Sequence, residues 1–402
     1  MNVSVEHQKK IQDIQAVLQE EGVDGWLLYN FRGSNPVASR ILNLPSHLMF
    51  TRRYFYFIPA AGSPRKLVHA IEQENLDVLP GEKLIYATWR SLEEQLRALV
   101  RGSKRVAMEY SPRNAIPYVS IVDAGTLELV RDAQVEIISS ANLVARFEAC
   151  WDDVQARDNF ETAQHLREIV DLVFSFIKRC VKDGKAVTEY DVQQFMLSEF
   201  KARGLTTESD PNCSVNANSA NPHYEPTKEV HSPIKPGDFV LIDLWAKKNK
   251  PRSVYADITW TGFVGESVPD EYQKVFEVVK GGRDAALKFA QDSLKAGKTI
   301  RGYEVDDAAR NFIKAKGYAE YFVHRTGHSI GEQIHANGAN MDNFETHDDR
   351  RILPRSSFSI EPGIYLPGKF GIRSEIDVYI SPSNEVIVTG LPMQERVVAI
   401  MA

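Results

Sequence analysis

The sequence predicts an α/β (α+β) protein of two domains, and three observations carry that prediction. At 402 residues the chain is longer than one ordinary hydrophobic core supports. Short apolar segments alternate with helical ones over residues 1–152, which is typical of a layered α/β domain. From residue 153 the pattern changes to long amphipathic helices followed by strand-like segments. We therefore predict domains at 1–152 and 153–402.

In the N-terminal domain, helical periodicity over residues 5–22 ends at Gly22. The apolar run GWLLYN (25–30) then predicts a buried strand. Further strands are predicted at RYFYFIP, RKLVHAI, KLIYAT and RVAMEY, and a helix at SLEEQLRALV (91–100). The turn-rich segment YSPRNAIPYVS (110–120) marks the far edge of the domain.

In the C-terminal domain, amphipathic helices are predicted at 152–184 and 188–204, and two more at roughly 269–295 and 304–316. Residues 207–238 are poor in helix formers and are predicted to form a long loop. The predicted strands are FVLIDLWA, SVYADITWTGFVG, SSFSIEPGIYL, GIRSEIDVYIS and EVIVTGL.

The bulk composition excludes several classes of protein. A net charge of −6 offers no basic face for a nucleic-acid backbone. The three cysteines, Cys150, Cys180 and Cys213, lack the spacing of a metal knuckle, which favours reduced thiols. The N-terminus has no apolar signal-peptide core, and the run YFYFIPAAG is too short to span a bilayer. We expect a cytoplasmic protein with neither nucleic-acid nor membrane partners.

Histidines cluster in HRTGHSIGEQIH, residues 324–335, but not as a zinc-protease helix. In the motif H-E-x-x-H a glutamate follows the first histidine. Here Arg325 follows His324, and Gly327 disfavours a helix before His328. Metal ligands must therefore come from elsewhere in the chain.

Four acidic residues occupy strand contexts that are otherwise apolar: Asp243, Asp257, Glu361 and Glu375. Buried carboxylates are costly unless they are paired, protonated or bound to a metal. Together with one neutral imidazole they carry a charge of −4, which two divalent cations balance. The set therefore predicts a dinuclear hydrolase centre.

The motifs IDLW, ADIT, GHSIG, EPGIY and IRSE occur in that order. On these motifs the C-terminal half resembles the metallopeptidase family M24 of methionine aminopeptidases, prolidases and aminopeptidase P. The segment EEGVDGWLLYN followed by NP resembles the creatinase-like N-terminal domain of aminopeptidase P and prolidase, which methionine aminopeptidases lack. The resemblance implies a creatinase-like domain over 1–152. It also implies a pita-bread catalytic domain over 153–402, with a curved, mainly antiparallel sheet covered by helices.

The resemblance also implies a metal-ligand set. Asp243 would chelate one metal, and His328 and Glu361 the second, while Asp257 and Glu375 would bridge the two. The cofactors would be two divalent ions, manganese first, with cobalt, zinc or iron as alternatives. They would activate a hydroxide, and Glu361 would carry its proton to the leaving amine.

Further residues would meet the substrate by the same resemblance. His335 and His223 would hydrogen-bond the substrate carbonyl and the developing oxyanion. His324 would either support the metal ligands or contact substrate, and Arg373 would either orient Glu375 or contact substrate.

Three features depart from the family pattern. Asp243 and Asp257 are fourteen residues apart, where eleven is usual, so a longer hairpin turn is expected. Trp245 replaces a glycine and Trp260 an arginine that often follows DIT. The segment NCSVNANSANPHY is more polar than its usual glycine- and alanine-rich equivalent. These changes concern substrate choice, because the five ligands are retained.

The leading prediction is a metallo-aminopeptidase that removes the N-terminal residue from Xaa-Pro peptides, and the family implies a homodimer. One alternative is a prolidase-type dipeptidase, with Arg350 or Arg351 holding the C-terminal carboxylate. Another alternative is a creatinase-like enzyme or a lyase that acts on a small non-peptide substrate. The two tryptophans would then line a pocket for a cationic molecule, or they would pack in the core. A non-catalytic binding module is the last.

Overall fold

The computed structural model describes residues 5–402 and divides the chain into two compact units, Met1–Phe147 and Glu148–Ala402. This division lies a few residues before the sequence-based boundary at 152–153, and the exact domain limits stay a prediction. Across residues 5–402, no helix combines the length and apolar character needed to cross a membrane.

The helices and strands of the first unit are, in chain order, α1 (Val5–Glu20), β1 (Gly25–Asn30), α2 (Pro36–Ile41), β2 (Tyr54–Pro59), β3 (Arg65–His69), β4 (Glu82–Tyr86), α3 (Trp89–Leu99), β5 (Arg105–Met108), α4 (Ala124–Arg131), β6 (Glu136–Ser139) and α5 (Ala141–Glu148). The predicted strands and the helices α1 and α3 are present. Sequence periodicity did not identify α2, α4, β6 and α5, since each has eight residues or fewer.

One six-stranded sheet, in the order β4-β3-β2-β1-β5-β6, organises this unit. Of its strands, β2 runs antiparallel to both neighbours and the other pairs are parallel. Every residue of β1 is buried, because Trp26 and Leu28 join the core on one face and Leu27 that on the other.

The helices and strands of the second unit are α6 (Asp153–Lys182), α7 (Glu189–Ala202), β7 (Leu205–Thr206), β8 (Asn212–Val215), β9 (Phe239–Lys248), β10 (Ala256–Phe263), α8 (Asp270–Lys295), α9 (Gly302–Ala315), β11 (Ser329–Ile330), β12 (Ser357–Ile360), β13 (Gly363–Leu366), β14 (Phe370–Arg373), β15 (Ile376–Ile380), β16 (Val386–Val388) and β17 (Val398–Ala399). Three sheets form: β17-β10-β9-β7 with β8 also on β9, β11-β12-β15-β16, and the pair β13-β14.

The second unit differs from the sequence prediction in the short strands β7, β11 and β17, which were not predicted, and in two further places. The predicted loop 207–238 contains β8, which pairs antiparallel with β9. The segments SSFSIEPGIYL and GIRSEIDVYIS each form two strands, broken at Glu361–Pro362 and at Ser374–Glu375. Pro362 has no N–H to donate to a ladder, so β12 ends before it. Two of the predicted ligands therefore lie at strand breaks and not within strands.

Candidate metal centre

Strand register brings the first two predicted ligands to one face of a sheet. In the antiparallel pair β9–β10, Asp243 lies opposite Thr259, and Trp245 lies opposite Asp257. Opposed residues of such a pair share a face, and so do residues two apart along a strand. Asp243 and Asp257 therefore point to the same side of the sheet, although the hairpin between them is longer than usual.

The histidine-containing segment reaches this site by a close backbone approach. His328 precedes β11, and its backbone N–H donates to Ser359 Oγ at 3.0 Å. A Cβ on Gly327 would lie 1.9 Å from the Ser359 carbonyl oxygen, so glycine is needed there. The GH pair thus sets the His328 ring against the end of β12, just before Glu361.

Three of the five predicted ligands converge. Asp257, His328 and Glu375 each offer a ligand atom, and these atoms all lie within 4.8 Å of one another. All three side chains are buried. Asp257 Oδ1 and Glu375 Oε1 have no hydrogen-bond partner among the described residues, which is costly for buried carboxylates. Two unpartnered anionic oxygens beside an imidazole fit a divalent cation.

The other two predicted ligands adjoin this group. Glu361 Oε1 lies 3.3 Å from His328 Nε2. Asp243 Oδ1 accepts a hydrogen bond from the Thr259 hydroxyl at 2.8 Å, and the same oxygen of Thr259 lies 2.7 Å from Glu375 Oε2. All five residues thus form one connected cluster. Its four carboxylates and one neutral imidazole carry a charge of −4 when ionised, which two divalent cations would balance. Their roles as ligands stay a prediction.

Without added positive charge, the electrostatics of the cluster disfavour the ionised forms of Asp257 and Glu375 but favour the neutral form of His328. Burial, followed by repulsion from Asp243, raises the pKa of Asp257 well above its usual range. Burial, followed by repulsion from Asp257, does the same to the pKa of Glu375. Burial lowers the pKa of His328 to about 3, which leaves a neutral imidazole with a lone pair for a metal.

Arg373 is the cation that the protein itself supplies. It is buried, and its guanidinium donates to Asp243 Oδ2, to the Thr259 hydroxyl at 3.1 Å and to the Tyr365 hydroxyl at 3.0 Å. Its Nε also lies 3.7 Å from Glu361 Oε2. These contacts direct the guanidinium at Asp243, and not at Glu375 as one of the two predicted roles required; the Thr259 hydroxyl lies between Arg373 and Glu375. The role of Arg373 stays a prediction.

The remaining predicted histidines have different surroundings. The ring of His335 is exposed, yet it meets the His328 ring edge to face at 4.3 Å. Partial loss of hydration, followed by the effect of the adjacent His328, lowers the pKa of His335 to about 4. His223 is exposed. His324 is half-buried, with Nδ1 2.6 Å from the Arg325 carbonyl and Nε2 2.8 Å from the Tyr365 hydroxyl, which favours a supporting role.

Sequence reasoning missed three residues of the site: Thr259, Tyr365 and Asp377. The buried Asp377 accepts a hydrogen bond from the Asp257 backbone N–H at 2.8 Å, and its Oδ1 has no partner among the described residues. The signal that singled out the other acids was available, because Asp377 stands in the apolar run IDVYI. Thr259 follows Asp257 by the two residues that keep a strand face.

The positions that bear on substrate choice are also defined. Trp260 is buried in the core, and the Arg167 guanidinium lies 3.9 Å from the centre of its ring. Trp260 therefore does not line a pocket for a cationic substrate. Trp245 is half-buried opposite Asp257 and donates to Ser209 Oγ at 3.2 Å. Arg350 is buried and paired with Asp348, with Nε–Oδ1 at 2.9 Å.

A group of carboxylates around one imidazole, with Asp257, His328 and Glu375 buried, fits the class of proteins that bind divalent metal ions. Residues 161–382 match the metallopeptidase family M24, and the chain belongs to this family. The predicted family is therefore confirmed.

Two known proteins illustrate the similarity in sequence, and one solved structure illustrates the similarity in fold. A Mycoplasma pneumoniae protein provisionally named Xaa-Pro aminopeptidase is 33% identical over 225 residues, 54% of this chain and 57% of that protein. An Xaa-Pro dipeptidase of Lactobacillus delbrueckii subsp. lactis is 32% identical over 210 residues, 52% of each. The match thus spans little more than half the length of these relatives.

The crystal structure of dipeptidase PepE from Mycobacterium ulcerans superimposes with a TM-score of 0.67 at 19% identity, covering 98% of both chains. This similarity confirms the α/β (α+β) fold class with its pita-bread domain. The creatinase-like assignment of residues 1–152 stays a prediction.

Proposed function

We propose that this protein is a metal-dependent peptidase that removes the N-terminal residue from Xaa-Pro peptides. One observation carries the proposal: Asp257, His328 and Glu375 converge within 4.8 Å with unpartnered carboxylate oxygens, beside the exposed ring of His335. The site thus has an acidic interior for cations and a histidine edge for substrate. The names of the two relatives, one an Xaa-Pro aminopeptidase and the other an Xaa-Pro dipeptidase, support the proline-containing substrate.

Asp243, Asp257, His328, Glu361 and Glu375 would hold the ions. When bound, divalent ions polarise a peptide carbonyl and make water a stronger nucleophile near neutral pH. Burial of Asp257, His328 and Glu375 excludes competing water at these three ligands and keeps His328 neutral.

Glu361 would transfer the proton. It is half-buried, unlike Asp257 and Glu375, so it can exchange protons with an open substrate side. His328 and the Ser359 hydroxyl, 3.1 Å from Oε1, hold its carboxylate in place. His335 and His223 would donate hydrogen bonds to the substrate carbonyl oxygen as negative charge develops on it.

A dipeptidase needs in addition a cation for the free C-terminal carboxylate of its substrate. Of the two candidates, Arg350 is buried and engaged by Asp348, which leaves it no free face for substrate. Arg373 is likewise directed at Asp243. These contacts support the aminopeptidase over the dipeptidase, with Arg351 as the remaining candidate for the latter.

The test is hydrolysis of X-Pro dipeptides against X-Pro-Y tripeptides by the full chain loaded with manganese. Cleavage of tripeptides alone supports the proposal, and cleavage of dipeptides alone supports the prolidase alternative. Cleavage of neither, by protein that holds metal, would contradict a peptidase and favour the small-molecule enzyme.

Asp257→Asn is the matched inactive control. Replacing a carboxylate by a neutral amide should abolish metal loading, measured by elemental analysis of the purified protein. Two metals retained per chain in this variant would contradict the assigned site. If the unsubstituted protein held no metal even after reloading, the binding-module alternative would be favoured.

A further inference from the structure

The N-terminal unit contains an open cleft of about 890 Å³ that the proposed function does not use. Its lining residues come from several strand ends. Tyr29 and Phe31 end or follow β1, and His69 and Tyr86 are the last residues of β3 and β4. Because β1, β3 and β4 run in the same direction, these side chains gather at the carboxyl edge of the sheet.

The position of the cleft is the one where open α/β sheets bind ligands. From β1 the chain continues to β2, β3 and β4 on one side, and it returns through α3 to β5 and β6 on the other. The strand order thus reverses between β1 and β5, and ligands of such sheets bind outside the carboxyl ends of strands near this point. The cleft includes the end of β1 and extends from there over the ends of β3 and β4. The helices α3 and α4 both begin at the cleft, with Thr88 and Asp123 as their N-caps.

The cleft also has an unneutralised positive charge. Arg53 is half-buried, and across residues 5–402 no carboxylate lies within ion-pair distance of its guanidinium. Arg53 lines the cleft together with Tyr29 and Tyr86, and the Tyr86 hydroxyl donates to the Arg53 carbonyl oxygen at 2.8 Å. The acid in the lining, Asp123, accepts from the Thr126 N–H at 2.9 Å and from the Thr126 hydroxyl at 2.8 Å. Its carboxylate is thereby committed to α4.

Aromatic rings provide the other recognition element. Trp89 is 59% exposed and Phe31 is 39% exposed, and both line the cleft. The Arg90 guanidinium stacks on Trp89 at 4.6 Å, which holds the indole in a fixed orientation. Exposed aromatic rings beside an arginine bind planar ligands by stacking.

We infer that this cleft binds a small anion that carries a planar ring and a phosphate, a ligand of the mononucleotide class. Arg53, the second cation Arg52 and the two helix N-termini would bind the phosphate, and Trp89 and Phe31 would stack on the ring. The volume falls within the range of small-molecule sites, about 300–1,000 Å³. All of these residues belong to the unit Met1–Phe147, whereas the predicted metal ligands belong to Glu148–Ala402.

The test is calorimetric titration of the full chain with adenosine monophosphate as the probe, with adenosine and ribose 5-phosphate alongside. Saturable binding of the nucleotide, roughly tenfold tighter than either fragment, is expected if ring and phosphate are both recognised. Titration in the presence of chelator makes the result independent of the peptidase, so the two proposals can fail separately. Absence of nucleotide binding up to about 1 mM would overturn the inference.

Substitutions locate the site. Arg53→Gln should weaken nucleotide binding roughly tenfold or more, and Trp89→Ala should weaken adenosine and nucleotide binding alike. Arg113→Gln, at an exposed arginine of the same unit outside the cleft, is the matched control and should leave the affinity unchanged. Equal affinity of Arg53→Gln and the unsubstituted chain would place the ligand elsewhere. A change in sedimentation of Arg53→Gln without any change in nucleotide affinity would instead assign the cleft to a second copy of the chain.

Discussion

At the residue scale, three histidines within twelve positions have three different surroundings. His328 is buried with its Nε2 among carboxylates, 3.3 Å from Glu361 and 3.8 Å from Asp257. His335 is exposed beside it, and His324 is held between a carbonyl oxygen and the Tyr365 hydroxyl. The predicted separation of roles within this segment therefore has a physical basis in hydration and hydrogen bonding.

His335→Ala should leave metal content unchanged and lower kcat roughly 100-fold or more, because an oxyanion donor is lost while the cation ligands remain. Elemental analysis and steady-state kinetics with an X-Pro-Y tripeptide measure the two effects. His231→Ala, at an exposed histidine that lies 2.9 Å from the Thr227 carbonyl, is the control and should retain full activity. Unchanged turnover in His335→Ala would mean that the substrate lies elsewhere.

Asp377 acts as a positioning residue in this site, since it holds the Asp257 backbone at 2.8 Å. Asp377→Ala should weaken metal binding by roughly 10–100-fold, because an outer partner of a ligand is lost and a buried N–H is left without an acceptor. Asp377→Asn keeps an acceptor oxygen and should retain most of the affinity. Competition with a metal chelator measures both. Equal affinities in Asp377→Ala and the unsubstituted protein would contradict the positioning role.

At the scale of elements, the site depends on where strands stop. Asp257 lies within β10, whereas Glu361 and Glu375 lie at the breaks after β12 and β14. A strand interior keeps its side chains perpendicular to the sheet, while a break lets a carboxylate turn toward a neighbouring sheet. The two sheets and the β13–β14 pair thus bring ligands to one point.

Glu109 joins elements of the first unit through three donors: Trp26 Nε1 at 2.7 Å, Asn35 Nδ2 at 2.7 Å and Ser140 Oγ at 3.1 Å. It is fully buried, and burial raises its pKa from 4.5 to about 7. A folded-state pKa above the unfolded one stabilises the fold below pH 4.5, and this contribution is lost as pH rises through 7.

We therefore expect Glu109 to lower the free energy of unfolding by roughly 3 kcal/mol between about pH 4.5 and 7. Glu109→Gln cannot ionise, so its stability relative to the unsubstituted protein should rise over the same interval. Urea denaturation of both proteins at a series of pH values, with metal held constant, gives this difference. Parallel pH profiles for the two proteins would contradict the assignment.

At the scale of the whole molecule, the predicted ligands all belong to Glu148–Ala402, while Glu109 and the anion cleft belong to Met1–Phe147. Bound ions stabilise the state that binds them. Metal should therefore slow amide exchange in β9, β10, β12 and β15 while leaving β1 and β5 unchanged, as measured by hydrogen–deuterium exchange with and without chelator. Protection confined to the first unit would contradict the metal assignment.

The sequence by itself determined the family and the fold class, and it predicted the chemical types of the candidate ligands. These are local properties: acids in apolar strands, glycine before His328 and motif order can be read along the chain. It also determined most strands and long helices, because periodicity reports burial. It missed short elements and strand breaks, such as β8 and the break at Ser374–Glu375, where few residues carry the pattern.

Only the tertiary structure decided which groups meet. The approach of Asp257, His328 and Glu375 within 4.8 Å, and the bonds of Arg373 to Asp243 and of Asp377 to Asp257, join residues far apart in the chain. Distances of this kind depend on how sheets pack and not on local propensity. The same holds for the cleft at Arg53, which gathers residues from the ends of β1, β3 and β4, because the order of strands in a sheet cannot be read from periodicity.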